Sequence, residues 1–265
     1  MTRLINTGHE YTQLTEQFRM IPAVADLVSD IYSDLVTVCP PDSSLTPPLP
    51  HCFLHPVFWW NHHSYEYKDL SPRNELEVEK ICALAKFLLL HHLDETRITI
   101  LTGYQGQVAA IKEMMEYRCT SHGDTDKLRK IQVRTVDSYQ GSENDVILLT
   151  LVRNNPGKAI GFMDLAGRRC VALSRARLAI YIVGSKDVFR HTEWGSVVDR
   201  LETRGMIGDA LPLESEKGER RNVESAKELW EICDELTKQG LESSGDVSSE
   251  AKIDAENEGD ADNNW

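Results

Sequence analysis

Apolar residues recur along this chain with two periods, one helical and one extended. From Pro22 onward, Val24, Leu27, Val28, Ile31, Tyr32 and Leu35 keep the helical period, and Pro22 suits a first turn. Residues 40–50 are Pro-rich and read as loop. CFLHPVFWW (52–60) is a short apolar strand interrupted by Pro56, and a polar stretch follows to Arg73. Residues 74–92 read as a long helix with Ser71 as its candidate cap. A strand over 98–101, the turn TGYQGQ and a helix through Val108, Ile111 and Met115 come next, and 119–130 reads as polar loop. Strands are predicted over 131–136, 145–152 and 179–184, with a helix over 165–177 between the last two. The 145–152 run is continuously apolar, as a strand covered on both faces requires. Strands alternating with helices predict an α/β fold built on a doubly wound parallel sheet.

Beyond that unit, residues 206–222 read as a charged linker. Residues 223–239 read as an amphipathic helix with Ala226, Leu229, Trp230, Cys233 and Leu236 on one stripe. After Gly240 the chain is acidic and rich in Ser, Gly and Asn, a composition that favours disorder. The expected organisation is therefore a main domain over 1–205, a linker with its helix over 206–240, and an acidic tail over 241–265.

The formal net charge of −13 changes less than it first implies. Residues 241–265 hold eight acids and one lysine, or −7, which leaves −6 for residues 1–240. That balance counts only weakly against a nucleic-acid partner, because a local track suffices for binding. No apolar run is long enough to span a membrane, and MTRLINTGHEYTQ lacks the apolar stretch of a secretory signal. The six cysteines, at 39, 52, 82, 119, 170 and 233, form no C-x-x-C pair, so reduced thiols in a cytoplasmic or nuclear protein are expected. His51, Cys52, His55, His62 and His63 lack the C-x₂-C context of a zinc site, so no metal site is expected. Trp59 and Trp60 are expected to pack in the core.

Four clusters occur in one order: QFRM (17–20), TGYQGQ (102–107), TVDSYQGSENDVILLTLVRNN (135–155) and GFMDLAGRRCVALSRARLAIYIVG (161–184). Read as one helix, the last cluster puts Arg168 and Arg175, seven residues apart, on one face, with Leu173 turned towards the sheet and Arg177 on the other side. Gly141 permits a tight loop.

Together these clusters resemble the C-terminal RecA-like lobe of superfamily-1B helicases, the family of the up-frameshift helicases and senataxin. The resemblance covers roughly residues 10–190, most specifically in TVDSYQGSEND and VALSRAR. It implies a RecA-like sheet with helices on both faces and an ATP-driven activity on single-stranded RNA or DNA. ATP hydrolysis depends chiefly on positive charge held at the transferring phosphoryl group. By resemblance, Arg175 is the arginine finger and Arg19 contacts the γ-phosphate. Arg168 and Gln17 belong to the nucleotide-binding set. Phe18 stands where the family has a tyrosine that stacks on adenine, with core packing as its alternative role. Glu143 would accept from the ribose, and Gln140 would couple the nucleotide to the nucleic acid. The track would use Thr102, Tyr104 and Gln107 after a strand, continued by Thr135, Ser138, Arg153 and Asn155. For Tyr104, core packing competes.

The sequence contains no G-x-x-x-x-G-K-[ST] P-loop, and NNPGKA (154–159) lacks both the first glycine and the closing Ser or Thr. No strand ends in the family's D-E-A pattern. The first RecA-like lobe is thus expected to be missing here and to be supplied in cis or in trans. ATP with Mg²⁺ would bind only in that combination, and the chain alone is expected to be inactive. The alternative is a non-catalytic nucleic-acid-binding or protein-interaction module derived from a helicase lobe.

Overall fold

The computed structural model describes residues 7–8, 10, 12, 14–32, 34–38, 49–50, 52–67, 70–121, 126–215 and 218–253. In chain order, β1 (Glu16–Gln17), α1 (Pro22–Ala25) and β2 (Val36–Thr37) precede β3 (Val57–Asn61) and α2 (Glu75–Leu90). Then come β4 (Ile98–Thr102), α3 (Gln105–Ser121), α4 (Lys127–Lys130), β5 (Gln132–Thr135), β6 (Asn144–Thr150), α5 (Ala166–Leu173) and β7 (Ala176–Gly184). The last group is α6 (Lys186–Phe189), α7 (Gly195–Thr203), β8 (Ile207–Gly208), β9 (Leu211–Glu214), β10 (Arg220–Val223) and α8 (Ala226–Ile253).

Six strands form one sheet in the order β5-β4-β6-β7-β3-β8, and every pair is parallel. The fold is α/β, as the alternation of strands and helices predicts, and RecA-like, as the resemblance implies. Side chains leave β3 alternately to the two faces. Phe58 and Trp60 join a core that includes Ile81 and Leu84 of α2, Ile111 of α3 and Leu229 of α8. Val57 and Trp59 join the opposite core with Val24 of α1, Leu173 of α5 and Val197 of α7. Because both faces are covered, the central strands carry no polar alternation.

Three expectations change within the main domain. The first helix is one turn long, followed by a 3₁₀ turn over Asp26–Val28. The Asp26 carbonyl accepts from the Ser29 N–H at 3.2 Å, from the Ser29 hydroxyl at 2.9 Å and from Arg200, which closes the turn early. Asn74, not Ser71, caps α2, its side chain accepting from the Glu77 N–H at 3.3 Å. The Ser71 hydroxyl instead accepts from the Gly106 N–H at 2.9 Å. Helix α3 runs to Ser121, and 127–130 is helical, so the expected loop is shorter than 119–130.

The stretch 206–222 holds β8, which extends the main sheet, and part of the antiparallel hairpin β9–β10. Helix α8 then docks on α2 and α3 through the predicted stripe. Ala226, Leu229 and Cys233 are buried, and Trp230 and Leu236 pack partly buried beside them. Arg118 of α3 lies 3.9 Å over the Trp230 ring and pairs with Asp234 at 3.2 Å. The helix continues past Gly240 to Ile253, into the stretch whose composition favours disorder. His51, Cys39 and residues 254–265 lie outside the described residues.

Candidate nucleotide and nucleic-acid sites

At the amino edge of the sheet, Glu143 and Arg175 immediately precede β6 and β7, whose first paired residues are Asn144 and Ala176. QFRM is fastened beside them, because the Ile21 N–H donates to the Arg177 carbonyl at 2.9 Å. Gln17 shapes this junction locally. Its Oε1 accepts from the N–H groups of Arg19 at 3.1 Å and Met20 at 2.8 Å, and its Nε2 donates to the Met20 carbonyl at 2.8 Å. Arg19 is thereby aimed at Glu143, with which it forms a close ion pair, and at the Ser174 carbonyl at 3.2 Å. Phe18 is 56% exposed, so it is not core.

Arg175 is not on the helix. Helix α5 ends at Leu173, and the Arg175 carbonyl already accepts from the Asn144 N–H at 3.0 Å, as part of the β6–β7 pairing. That pairing pulls the chain out of the helix two residues before β7, so Arg168 and Arg175 do not share a helical face. Nor is Arg177 on a helix, since it lies in β7. The Arg175 guanidinium turns back on the Val171 carbonyl at 3.1 Å, the Ser142 carbonyl at 3.1 Å and the Ser174 hydroxyl at 2.9 Å. Partial burial, and then the Arg19 charge beside it, pull the pKa of Arg175 below the ordinary arginine range. Glu143 lies between Arg19 and Arg177, and with Arg175 beside them the arginines make an anion-seeking edge. Asp145, buried, anchors it from below by pairing with Arg97 at 2.5 Å and Arg177 at 2.6 Å. Arg168 lies apart from this group and pairs with Asp137 at 3.2 Å, its guanidinium stacked 3.3 Å over the Phe162 ring.

The carboxyl edge carries the other set. Connections from β4 and β6 leave in opposite directions, to β5 and to β7, so a crevice opens between the ends of these strands. Thr102 ends β4, and its buried hydroxyl has no hydrogen-bond partner among the described residues. Tyr104 is buried, its hydroxyl donating to the Ile160 carbonyl at 2.9 Å. Gly106 passes so close to the preceding segment that a Cβ there would lie 2.5 Å from the Ser71 carbonyl oxygen. Gln107 is fully buried, and its amide is spent on the Asn74 backbone and the Thr150 hydroxyl at 3.0 Å. Thr135 and Ser138 bond each other, hydroxyl to hydroxyl, at 3.0 Å. Arg153 pairs with Glu66 at 3.0 Å, and Asn155 donates to Glu66 and to the Ala159 carbonyl at 2.9 Å.

One segment joins the two edges. After β5 the chain descends from the carboxyl end, crosses β4 and enters β6 at its amino end. Tyr139 is buried in this crossing, its hydroxyl 3.2 Å from the Thr99 hydroxyl. Gln140 and Glu143 are exposed beyond it, and Gly141 takes a φ of 87°.

Motif reading missed a buried polar network under the crevice. Glu77, fully buried, accepts from His62 Nε2 at 2.9 Å, from the Val152 N–H at 2.8 Å and from the Thr150 hydroxyl. The signal was present in Asn74-x-x-Glu77, which has capping-box spacing at the head of an apolar helix.

The sequence profile of the AAA domain family matches residues 1–187. The chain is 36% identical over 226 residues to Helicase required for RNAi-mediated heterochromatin assembly 1 of Schizosaccharomyces pombe, covering 82% of this chain and 22% of that protein. It is 32% identical over 216 residues to human NFX1-type zinc finger-containing protein 1, covering 80% of this chain and 11% of that protein. It is 29% identical over 216 residues to ATP-dependent helicase NAM7 of Saccharomyces cerevisiae, covering 77% of this chain and 22% of that protein. The chain therefore spans at most 22% of the length of these relatives.

Proposed function

Since this chain belongs to the superfamily-1B helicase family, we propose that it is the C-terminal RecA-like lobe of an ATP-dependent helicase acting on single-stranded RNA or DNA. The observation that carries this reading is the convergence of Arg19, Glu143 and Arg175 at the amino edge of the sheet. ATP fits that donor set. Arg175 serves as the arginine finger and Arg19 as the γ-phosphate contact, with Gln17 positioning Arg19. The exposed Phe18 ring offers a face for adenine, and Glu143 an acceptor for the ribose. Among the described residues no group of three or more His, Cys, Asp or Glu side chains could hold a metal. Mg²⁺ would thus enter with the nucleotide and a P-loop lobe, supplied in cis or in trans, where it neutralises phosphate charge.

The crossing segment over 136–143 supports a coupling role for Gln140, because it runs from the carboxyl-edge track to the nucleotide edge. Ser138, exposed, is the track residue placed best for a sugar-phosphate backbone, whereas Thr102 and Thr135 are buried. Tyr104, Gln107, Arg153 and Asn155 support the track from beneath, since their polar groups are engaged within the protein. Arg168 sets the Asp137 end of the crossing. Among the described residues no helix is long and apolar enough to cross a membrane. Work in the cytoplasm or nucleus is part of the same proposal.

The test joins this chain to a first RecA-like lobe bearing a P-loop and measures strand-stimulated ATP turnover. Arg175→Ala should lower kcat by about 10³-fold or more, on the scale of arginine fingers in GTPases, with an unchanged circular dichroism spectrum. The isolated chain should hydrolyse no ATP. Robust turnover by the isolated chain, or an Arg175→Ala variant as fast as the parent, would overturn the reading.

A further inference from the structure

Residues 62–67 form an extended strap across the carboxyl edge of the sheet. Exposure alternates along it: His63, Tyr65 and Tyr67 are exposed, whereas Ser64 and Glu66 are half-buried. The inward residues hold the strap down. The Glu66 N–H donates to the Asn154 carbonyl at 3.1 Å, and its carboxylate accepts from the Asn154 N–H at 2.5 Å and pairs with Arg153 at 3.0 Å. His62 is anchored on Glu77. Tyr67 pairs with Arg73 across an isolated bridge, and the Ser71 hydroxyl accepts from the Gly106 N–H of the TGYQGQ turn.

A rigid strap thus presents two tyrosine rings to water, 63% and 59% exposed, beside the proposed track. Tyr65 also borders a cavity of about 380 Å³, lined in addition by Asn154, Lys158, Asp187, Arg190 and His191. Arg190 is committed to Asp199 and Glu202, and Asp187 faces His63 at 3.6 Å. Lys158 differs. Its backbone is fixed at a φ of 49° by an N–H bond to the Asn155 carbonyl at 2.9 Å, and its ammonium has no acceptor among the described residues. An exposed aromatic face beside an uncommitted cation matches the unpaired nucleotide, whose base stacks and whose phosphate seeks the charge.

We propose that Tyr65 and Tyr67, with Lys158 beside Tyr65, form a base-stacking subsite that takes unpaired bases of a nucleic-acid strand along the carboxyl edge. The inference rests on the nucleic-acid reading above and adds a contact to the bases themselves. It is tested on the full chain by titrating a fluorescent oligouridylate of about ten nucleotides, and an abasic oligomer of equal length, over a range of salt. Tyr65→Ala/Tyr67→Ala should weaken oligouridylate binding by roughly 5- to 150-fold, the range that stacking of one base spans, and leave abasic binding unchanged. Tyr65→Phe/Tyr67→Phe should retain parental affinity, because the ring is kept. Lys158→Gln should weaken both oligomers and reduce the salt slope by about 0.7. If the parent binds oligouridylate and the double alanine variant binds it equally well, or loses as much on the abasic oligomer, this inference falls and the track stands. If the parent binds neither oligomer at low salt, both fall.

Discussion

Gln107 holds the backbone of Asn74 at two points: its Oε1 accepts the Asn74 N–H at 2.8 Å, and its Nε2 donates to the Asn74 carbonyl at 3.3 Å. The same amide nitrogen reaches Thr150, so one side chain of α3 ties the head of α2 to the end of β6. Replacing it with leucine leaves the buried Asn74 N–H without its partner, while the Asn74 carbonyl keeps the Val78 N–H. Gln107→Leu should destabilise the fold by about 1–3 kcal/mol, read as a lower urea midpoint with an unchanged slope.

Glu77 should be costlier still. Its carboxylate takes three donors inside the protein, and Glu77→Ala strands all of them. A loss of about 3–5 kcal/mol is expected in chemical denaturation. Glu77→Gln should fall between parent and alanine, because the amide keeps the shape and one acceptor.

The arginine edge should behave in the opposite way. Side chains of Arg19 and Glu143 remain about a third exposed, which limits what their pairing contributes. Glu143→Ala should change stability by less than about 1 kcal/mol in urea. If the ribose role is right, the same variant raises KM for ATP in the two-lobe protein.

Lys80 supplies a pH signature. It is buried against the Trp60 ring at 4.2 Å and donates to the Asn61 carbonyl at 3.0 Å, and burial pulls its pKa from 10.5 down to about 8. The unfolded chain therefore holds this proton more tightly than the folded one. Stability should rise with pH from about 8 to about 10.5, and the destabilisation is fully present below pH 8. Lys80→Met removes the titration. The parent should gain stability relative to that variant across the window, and parallel curves would contradict this.

Much of the fold was legible in local pattern. The unbroken apolar run Val146–Leu149 could only suit a strand covered on both sides, and both cores now flank it. The stripe Ala226-Leu229-Cys233 announced a docking face for α8, although not the partner, because a stripe shows which side is apolar and not what covers it. In the candidate sites, residue types were legible and their tasks were not. Gln107 and Arg153 read as ligands, since a polar side chain near a strand end looks alike in sequence whether it meets solvent or a buried backbone. Only burial distinguishes the two.

Arg175 shows where the division lies. Its identity, and its place after V-A-L-S, are properties of the sequence, and so are the clusters that reveal the family. Its position at the sheet edge is not. Local preferences continue the helix through 177, whereas the β6–β7 ladder needs Asn144 opposite Ala176 and draws the chain straight before it. Helix propensity differs between ordinary residues by tenths of a kcal/mol, and a ladder between two buried strands outweighs it. The sequence by itself determined which groups are present and the order of elements. Tertiary pairing decided which groups face the nucleotide edge, because long-range burial and hydrogen bonding outweigh local preference wherever the two disagree.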